Sequence, residues 1–214
     1  MSVKEQLEQI KAGFITKVPP EAQERILHHI REQQQSGTVF GLKEGEQAPN
    51  FTLGNPLGEQ VSLQDELGKG PVVLTFYRGA WCPFCNVQLR AYQQALPGIQ
   101  QYGGRLIAVS PQSPDHSLTQ KEKEQLTFQV LSDPDGRVAE QYNLLFELPD
   151  SLQNTFKHSL RLDLTEFNQT SRWVLPVTAT FILGQEGIVR RTHVNPDFMQ
   201  RMETQDIIDE LKKL

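Results

Sequence analysis

Cysteine is scarce in this chain: 214 residues hold two, Cys82 and Cys85. A disulfide-built scaffold needs several pairs, so the fold has to rest on an apolar core. Positive charge is not in excess either. Lys and Arg number 21 against 26 Asp and Glu, a net charge of −5, which argues against a nucleic-acid partner because that demands a basic face. Long hydrophobic runs are missing, and nothing approaches the length of a membrane span. The N-terminal stretch MSVKEQLEQIKAGF lacks the apolar core and small-residue cleavage site of a secretory signal, so a cytoplasmic location is expected. What remains, 37% hydrophobic and 22% charged residues, suits one globular domain with an extension.

Both cysteines fall in Val72–Leu89, VVLTFYRGAWCPFCNVQL. Val72–Tyr77 has the length and the β-branched, aromatic composition of a buried strand. A short Arg-Gly-Ala turn follows. Val87, Leu89, Tyr92 and Leu96 then fit a helix that buries one side. Pro83 suits the first helical position, where its missing N–H would have had no partner. That places Cys82 near the N-cap and Cys85 in the first turn, on the same face. Free backbone N–H groups and the positive end of the helix dipole favour a thiolate there. Arg78 adds a fixed positive charge close by.

Plainer readings compete. The two could be small core residues, but inert thiols need not stand three apart at a helix start. They could be half of a zinc site, yet structural zinc takes four ligands and there is no second cysteine pair, so no metal is expected. A structural disulfide is uncommon in an intracellular protein. A redox dithiol that closes a reversible Cys82–Cys85 disulfide is the specific reading.

Residues 1–36 read as two helices. Val3, Leu7, Ile10 and Phe14 form one apolar stripe; Pro19-Pro20 breaks it, and Ile26, Leu27 and Ile30 face inward on the second, which Gly37 ends. His28 and His29 read as solvated. Residues 1–42 are thus expected to be a helical extension that packs on the main domain or on a second subunit, as in a homodimer, without taking part in the dithiol chemistry. The main domain spans 43–214. Short strands are expected at Ala48–Leu53 and Val61–Leu63, then Arg105–Ser110, a helical stretch from Ser117, a strand at Phe128–Leu131 and a helix from Arg137. Residues 146–176 read as irregular, with Leu152, Phe156 and Leu160 spaced for a short helix. Phe156 and Trp173 read as core, His116 and His158 as surface or hydrogen-bonded residues. Thr178–Leu183 and Ile188–Val194 make a hairpin, and Gln205–Leu214 an amphipathic helix with Thr204 as N-cap. The class is α/β, a mixed central sheet covered by helices on both faces.

Several stretches carry a family likeness: Gly45–Leu53 (GEQAPNFTL), Phe76-Tyr77 ahead of the cysteines, Leu131–Gly136 (LSDPDG) with Val138, Ala139 and Tyr142, and Leu175–Ile182 (LPVTATFI) with Gly187. From about Lys43 onward the chain resembles the peroxiredoxin superfamily of alkyl hydroperoxide reductases and thiol-specific antioxidants, and more narrowly its CxxC-bearing branch. The resemblance implies a thioredoxin-like fold and a thiol peroxidase. Its substrate is a small hydroperoxide, its reductant an external thiol such as thioredoxin or glutathione, and no metal or organic cofactor is needed. Cys85 aligns with the peroxide-attacking cysteine, Cys82 with a threonine of the family pattern, Arg78 with its proline and Thr178 with its arginine. Trp81-Cys82-Pro83-Phe84-Cys85 is similar instead to the thioredoxin active site, in which the first cysteine attacks. The family pattern makes Cys85 the attacking sulfur and Cys82 the resolving one; the thioredoxin likeness reverses them. A protein-disulfide reductase and a non-enzymatic redox sensor are the competing functions.

Overall fold

The alternation of strand and helix signals is realised as a five-stranded sheet with helices on both faces, in a computed structural model that describes residues 1–214. Helices α1 (Val3–Lys17) and α2 (Pro20–Gln35) come first. They are followed by β1 (Thr52–Gly54), β2 (Gln60–Ser62), α3 (Leu63–Leu67), β3 (Val72–Phe76), α4 (Pro83–Gln101) and β4 (Arg105–Ser110). Next come α5 (Pro114–Lys123), β5 (Gln129–Ser132), α6 (Arg137–Gln141), β6 (Leu145–Glu147), α7 (Asp150–Asn154) and a π-helical turn at Thr155–Ser159. Helix α8 (Leu164–Asn168), β7 (Val174–Pro176), β8 (Thr178–Leu183), β9 (Val189–Asn195) and α9 (Thr204–Leu211) close the chain.

Strand β3 lies in the middle of the order β5-β4-β3-β8-β9. It pairs in parallel with β4 and antiparallel with β8. All of its residues are buried, as a continuous apolar run requires when both faces of a sheet are covered. The two-residue period splits them. Val72, Leu74 and Phe76 enter one core with Tyr142 and Phe181, while Val73 and Tyr77 enter the other, which holds Cys82, Cys85, Phe84 and Tyr92. A parallel pair needs a crossover, and α4 is the crossover between β3 and β4. The turn Tyr77–Cys82 therefore lies at the carboxyl end of β3, the edge at which open α/β sheets place their ligand sites.

Helix α1 lies against α4, and α2 against α7 and the π-helical turn. Val3, Leu7, Ile26 and Ile30 are buried in the same core as Cys82. Each fully buried aliphatic side chain of this kind contributes about 1.5–3 kcal/mol. Ser2 and Glu5 form a capping box at the start of α1. The Glu203 carboxylate accepts from the N–H groups of Val3 and Lys4 at 3.0 and 2.8 Å, which ties α1 to the loop ahead of α9.

Several expectations are corrected. Residues 48–51 form no strand: next to the Gln47–Ile188 bridge the Ala48 N–H donates to the Gly187 carbonyl at 2.9 Å, the Phe51 carbonyl accepts from the Leu63 N–H at 3.0 Å, and β1 starts at Thr52. Leu63 begins α3 instead of ending β2, because Ser62 Oγ accepts from the Asp65 N–H at 3.4 Å and caps the helix. Residues 146–176 are more regular than their sequence: β6 pairs with β7 and brackets α7, the π-helical turn and α8. Three-residue strands carry too little periodicity to be read. Thr204 is the first residue of α9 and Glu203 its N-cap, with no side-chain capping bond, since the carboxylate serves α1. His29 is turned inward, its ring centroid 5.4 Å from that of Phe146; His28 stays at the surface near Glu32. No helix is long and apolar enough to cross a membrane.

Candidate active site

The turn from β3 into α4 is held by glycine and buried amides. Gly79 has φ of +137°, and a Cβ there would stand 2.7 Å from Trp81 Nε1; only glycine fits. The Ala80 N–H donates to Gln112 Oε1 at 2.8 Å, and the Ala80 carbonyl accepts from Asn86 Nδ2 at 2.8 Å. Gln112 in turn donates to Tyr77 and Gln120, and Gln120 donates to Asn86 Oδ1. Satisfied networks of this kind fix a loop in one geometry.

As the sequence predicts, Cys82 is the N-cap of α4, Pro83 its first residue and Cys85 in the first turn. Both thiols are free and buried, with 1% and 0% of their surface exposed. The Cys82 thiol and the Arg78 backbone N–H stand beside Cys85 and favour its thiolate. Arg201 Nη2 donates to Cys85 Sγ at 3.5 Å. Burial pushes both thiols up. At Cys85 the Cys82 hydrogen bond, the Arg201 charge, the Arg78 N–H and the Arg78 guanidinium outweigh it, and the pKa falls to about 5. At Cys82 burial wins, reinforced by the shared hydrogen bond and the charge on Cys85, and the thiol is raised well above its ordinary value. The pair thus holds one proton on Cys82 and one negative charge on Cys85.

Two guanidiniums converge on that charge. Arg78 and Arg201 are 7% and 9% exposed, and neither belongs to any of the ion pairs with Asp or Glu. A buried cation needs a counter-charge, and the cysteine pair supplies it. Arg78 stacks over Phe198 and Trp81, 3.9 and 4.7 Å from the ring centroids. Arg201 is clamped: Nε donates to Gln88 Oε1 at 2.8 Å, and Nη1 to the carbonyls of Gln200, at 2.8 Å, and Phe198. Gln88 lies one turn beyond Cys85 and donates to Thr75, Tyr92 and Thr180 at 3.2–3.3 Å. The thiolate's surroundings are therefore fastened to β3, α4 and β8.

The residues singled out in the sequence divide. Arg78, Trp81, Cys82, Pro83 and Cys85 come together. Trp81 packs edge-on against Phe156, centroids 5.5 Å apart. Thr178, aligned with the family's arginine, donates to the Asn195 carbonyl at 3.4 Å; the guanidinium on Cys85 comes from Arg201 instead. Neither Arg201 nor Gln88 sits in a motif. The available signal is compositional: Arg201 stands in Phe198-Met-Gln-Arg-Met202, a charge between methionines, as a buried, partnered arginine does. His116 is structural, with Nδ1 2.9 Å from both Ser113 Oγ and the Phe167 carbonyl, and His158 is exposed. Trp173 lies under Lys157 Nζ, 5.0 Å from its ring centroid.

A cleft of about 590 Å³ opens over Cys82, walled by Ile10, Phe14 and Lys17 of α1 and by Trp81, Phe156 and Arg161. Of the two cysteines, Cys82 lines the cleft and Cys85 does not.

The AhpC/TSA family matches residues 45–192, from the turn ahead of β1 into β9. Peroxiredoxin Bcp of Escherichia coli strain K12 is 36% identical over 103 residues, 48% of this chain and 65% of that protein. The match thus spans just under two thirds of that relative's length. Among solved structures, Peroxidoxin BcpB from Mycobacterium tuberculosis superposes with a TM-score of 0.64 at 19% identity, over 81% of this chain and 98% of that one. The Xanthomonas campestris bacterioferritin comigratory protein, described with its alkyl peroxide reduction activity, gives a TM-score of 0.59 at 17% identity, over 76% and 90%. At these identities the structures speak to the fold, which is that of thioredoxin-like peroxiredoxins. With its family match covering more than half of its length, the chain belongs to the AhpC/TSA family.

Proposed function

We propose that the chain is a thiol peroxidase in which Cys85 attacks a hydroperoxide and Cys82 resolves the product. The observation that carries this is the Arg201 guanidinium on Cys85 Sγ, 3.5 Å away in a buried site. The Cys85 thiolate attacks one peroxide oxygen, the O–O bond breaks, and the leaving alkoxide takes a proton to become an alcohol or water. Cys85 becomes a sulfenic acid. The Cys82 sulfur then attacks Cys85, its proton leaves with the hydroxyl as water, and the disulfide closes. Arg78 and Arg201, the fixed positive charges beside the reacting sulfur, also face the charge that develops on the peroxide oxygens. Trp81 and Phe156 wall the cleft at Cys82, Pro83 starts the helix that sets the two sulfurs one turn apart, and Thr178 supports the end of β8. No metal or organic cofactor enters.

Because Cys85 has no exposed surface, the substrate is a small or slender hydroperoxide. An external thiol returns the two electrons, which suits a reducing compartment such as the cytoplasm. Peroxide turnover by the purified chain with excess dithiothreitol tests this: wild type consumes hydroperoxide catalytically and Cys85→Ser does not. Fast reduction of protein disulfides with negligible peroxide consumption would replace this reading with the disulfide reductase.

A further inference from the structure

We propose that the cleft over Cys82 is where the dithiol is re-reduced, and that it takes a small thiol bearing carboxylates, which attacks Cys82 and expels Cys85. The inference rests on the thiol-peroxidase reading for the source of the disulfide, and its chemistry stands on the cleft itself.

Three features agree. The first is access: Cys82 lines the cleft and Cys85 does not, so an incoming sulfur meets Cys82. The second is the leaving group. Attack on Cys82 releases Cys85 into the site that Arg201 and Arg78 already neutralise, whereas attack on Cys85 would release Cys82, which burial holds as a thiol. Exchange is faster when the departing sulfur is the better anion. The third is charge. No Asp or Glu lines the cleft although the chain is acidic overall, and its outer wall carries Lys17 and Arg161, neither of which is ion-paired. A cationic rim over an apolar floor, with a volume in the range of small-molecule sites, fits a slender anion. It does not fit the flat face of a protein reductant, because Cys82 is only 1% exposed.

The electrons balance over two exchanges. One thiolate bonds to Cys82 Sγ as the Cys82–Cys85 bond breaks and Cys85 leaves as thiolate. A second thiolate attacks the sulfur of the first, forms the small-molecule disulfide and frees Cys82, which takes a proton from water.

Full-length protein oxidised with diamide, so that no peroxide is involved, tests the site apart from the peroxidase reading. Glutathione and its diethyl ester, whose carboxylates are masked, are compared as reductants by quenched alkylation and mass spectrometry. Glutathione should react roughly tenfold faster than the ester at low salt. High salt should narrow that ratio, as should the paired substitution Lys17→Glu and Arg161→Glu, or Lys17→Gln and Arg161→Gln if the first pair fails to fold. Equal rates for glutathione and ester would overturn the proposal. So would faster reduction by thioredoxin than by glutathione at equal thiol concentration. Failure of peroxide turnover with dithiothreitol would instead strike at the peroxidase reading.

Discussion

Arg201 reaches Cys85 across 116 residues of sequence, its Nη2 3.5 Å from the sulfur. Arg201 stands in the loop between β9 and α9, whose other polar groups bind it on two carbonyls while Gln88 holds Nε from α4. The cation is positioned before any substrate arrives, so its effect on the thiolate requires no reorganisation.

Removing that charge should raise the Cys85 pKa. Hydrogen bonds to charged groups contribute about 1.5–3 kcal/mol, which corresponds to a pKa higher by roughly one to two. Arg201→Gln should therefore slow iodoacetamide alkylation of Cys85 near pH 6 by roughly tenfold or more, and Arg201→Lys should restore part of the rate. Measurement in a Cys82→Ser background isolates the reacting sulfur. Unchanged alkylation in Arg201→Gln would remove Arg201 from the mechanism.

The acid side of the pH profile follows from the same site. Cys85 titrates at about 5 when folded, against about 8.5 for a free thiol. Its reactivity should be level above about pH 6 and fall tenfold per pH unit below about pH 4. For stability the sign is that of an acid with a depressed pKa: the unfolded chain binds more protons between those two values. The thiolate's contribution is therefore complete above about pH 8.5 and is lost as pH falls through about 5. Urea midpoints of wild type and Cys85→Ser should accordingly converge as pH is lowered from 8.5 to 5; parallel midpoints would contradict the lowered pKa.

Gly79→Ala tests the turn. A methyl group there meets Trp81 Nε1 at 2.7 Å with φ at +137°, and strain of this kind costs about 1–3 kcal/mol. Thermal unfolding should shift down by several degrees, and thiol alkylation should change as Trp81 moves. A variant with wild-type Tm would show that the turn tolerates a side chain.

What was legible was local. The β-branched run of β3, Pro83 at the helix start and the cysteine spacing are consequences of neighbours in sequence, and strand, turn and helix follow to within a residue. Arg78 could be suspected because it is four residues from Cys82. Arg201 could not be, since its approach to Cys85 depends on the β8–β9 hairpin returning the chain to α4. The resemblance pointed to Thr178 as the missing arginine's place, and the fold provides a guanidinium from another loop. The pairing of β6 with β7 was hidden for the same reason: its register is set by contacts between residues about 29 apart, such as Phe146 and Leu175, not by a local period.

The N-terminal helices should matter to the stability of this core. Leu7 is 4% exposed in the cluster that contains Cys82, and Leu→Ala at such a site costs about 2–5 kcal/mol. At roughly 2–4 °C per kcal/mol for a chain of this length, calorimetry of Leu7→Ala should show a clear drop in Tm. A drop within error would mean that α1 is loosely attached.

The most direct measurement of the central claim is trapping of sulfenic acid in the two single variants under one equivalent of hydroperoxide. Cys82→Ser should accumulate a dimedone adduct on Cys85 within the mixing time at neutral pH, because the guanidiniums remain and the resolving sulfur is gone. Cys85→Ser should react slowly, since the Arg201 hydrogen bond is made at position 85 and not to Cys82. Fast adduct formation on Cys82 in Cys85→Ser, with an inert Cys85 in Cys82→Ser, would reverse the two roles and contradict the account.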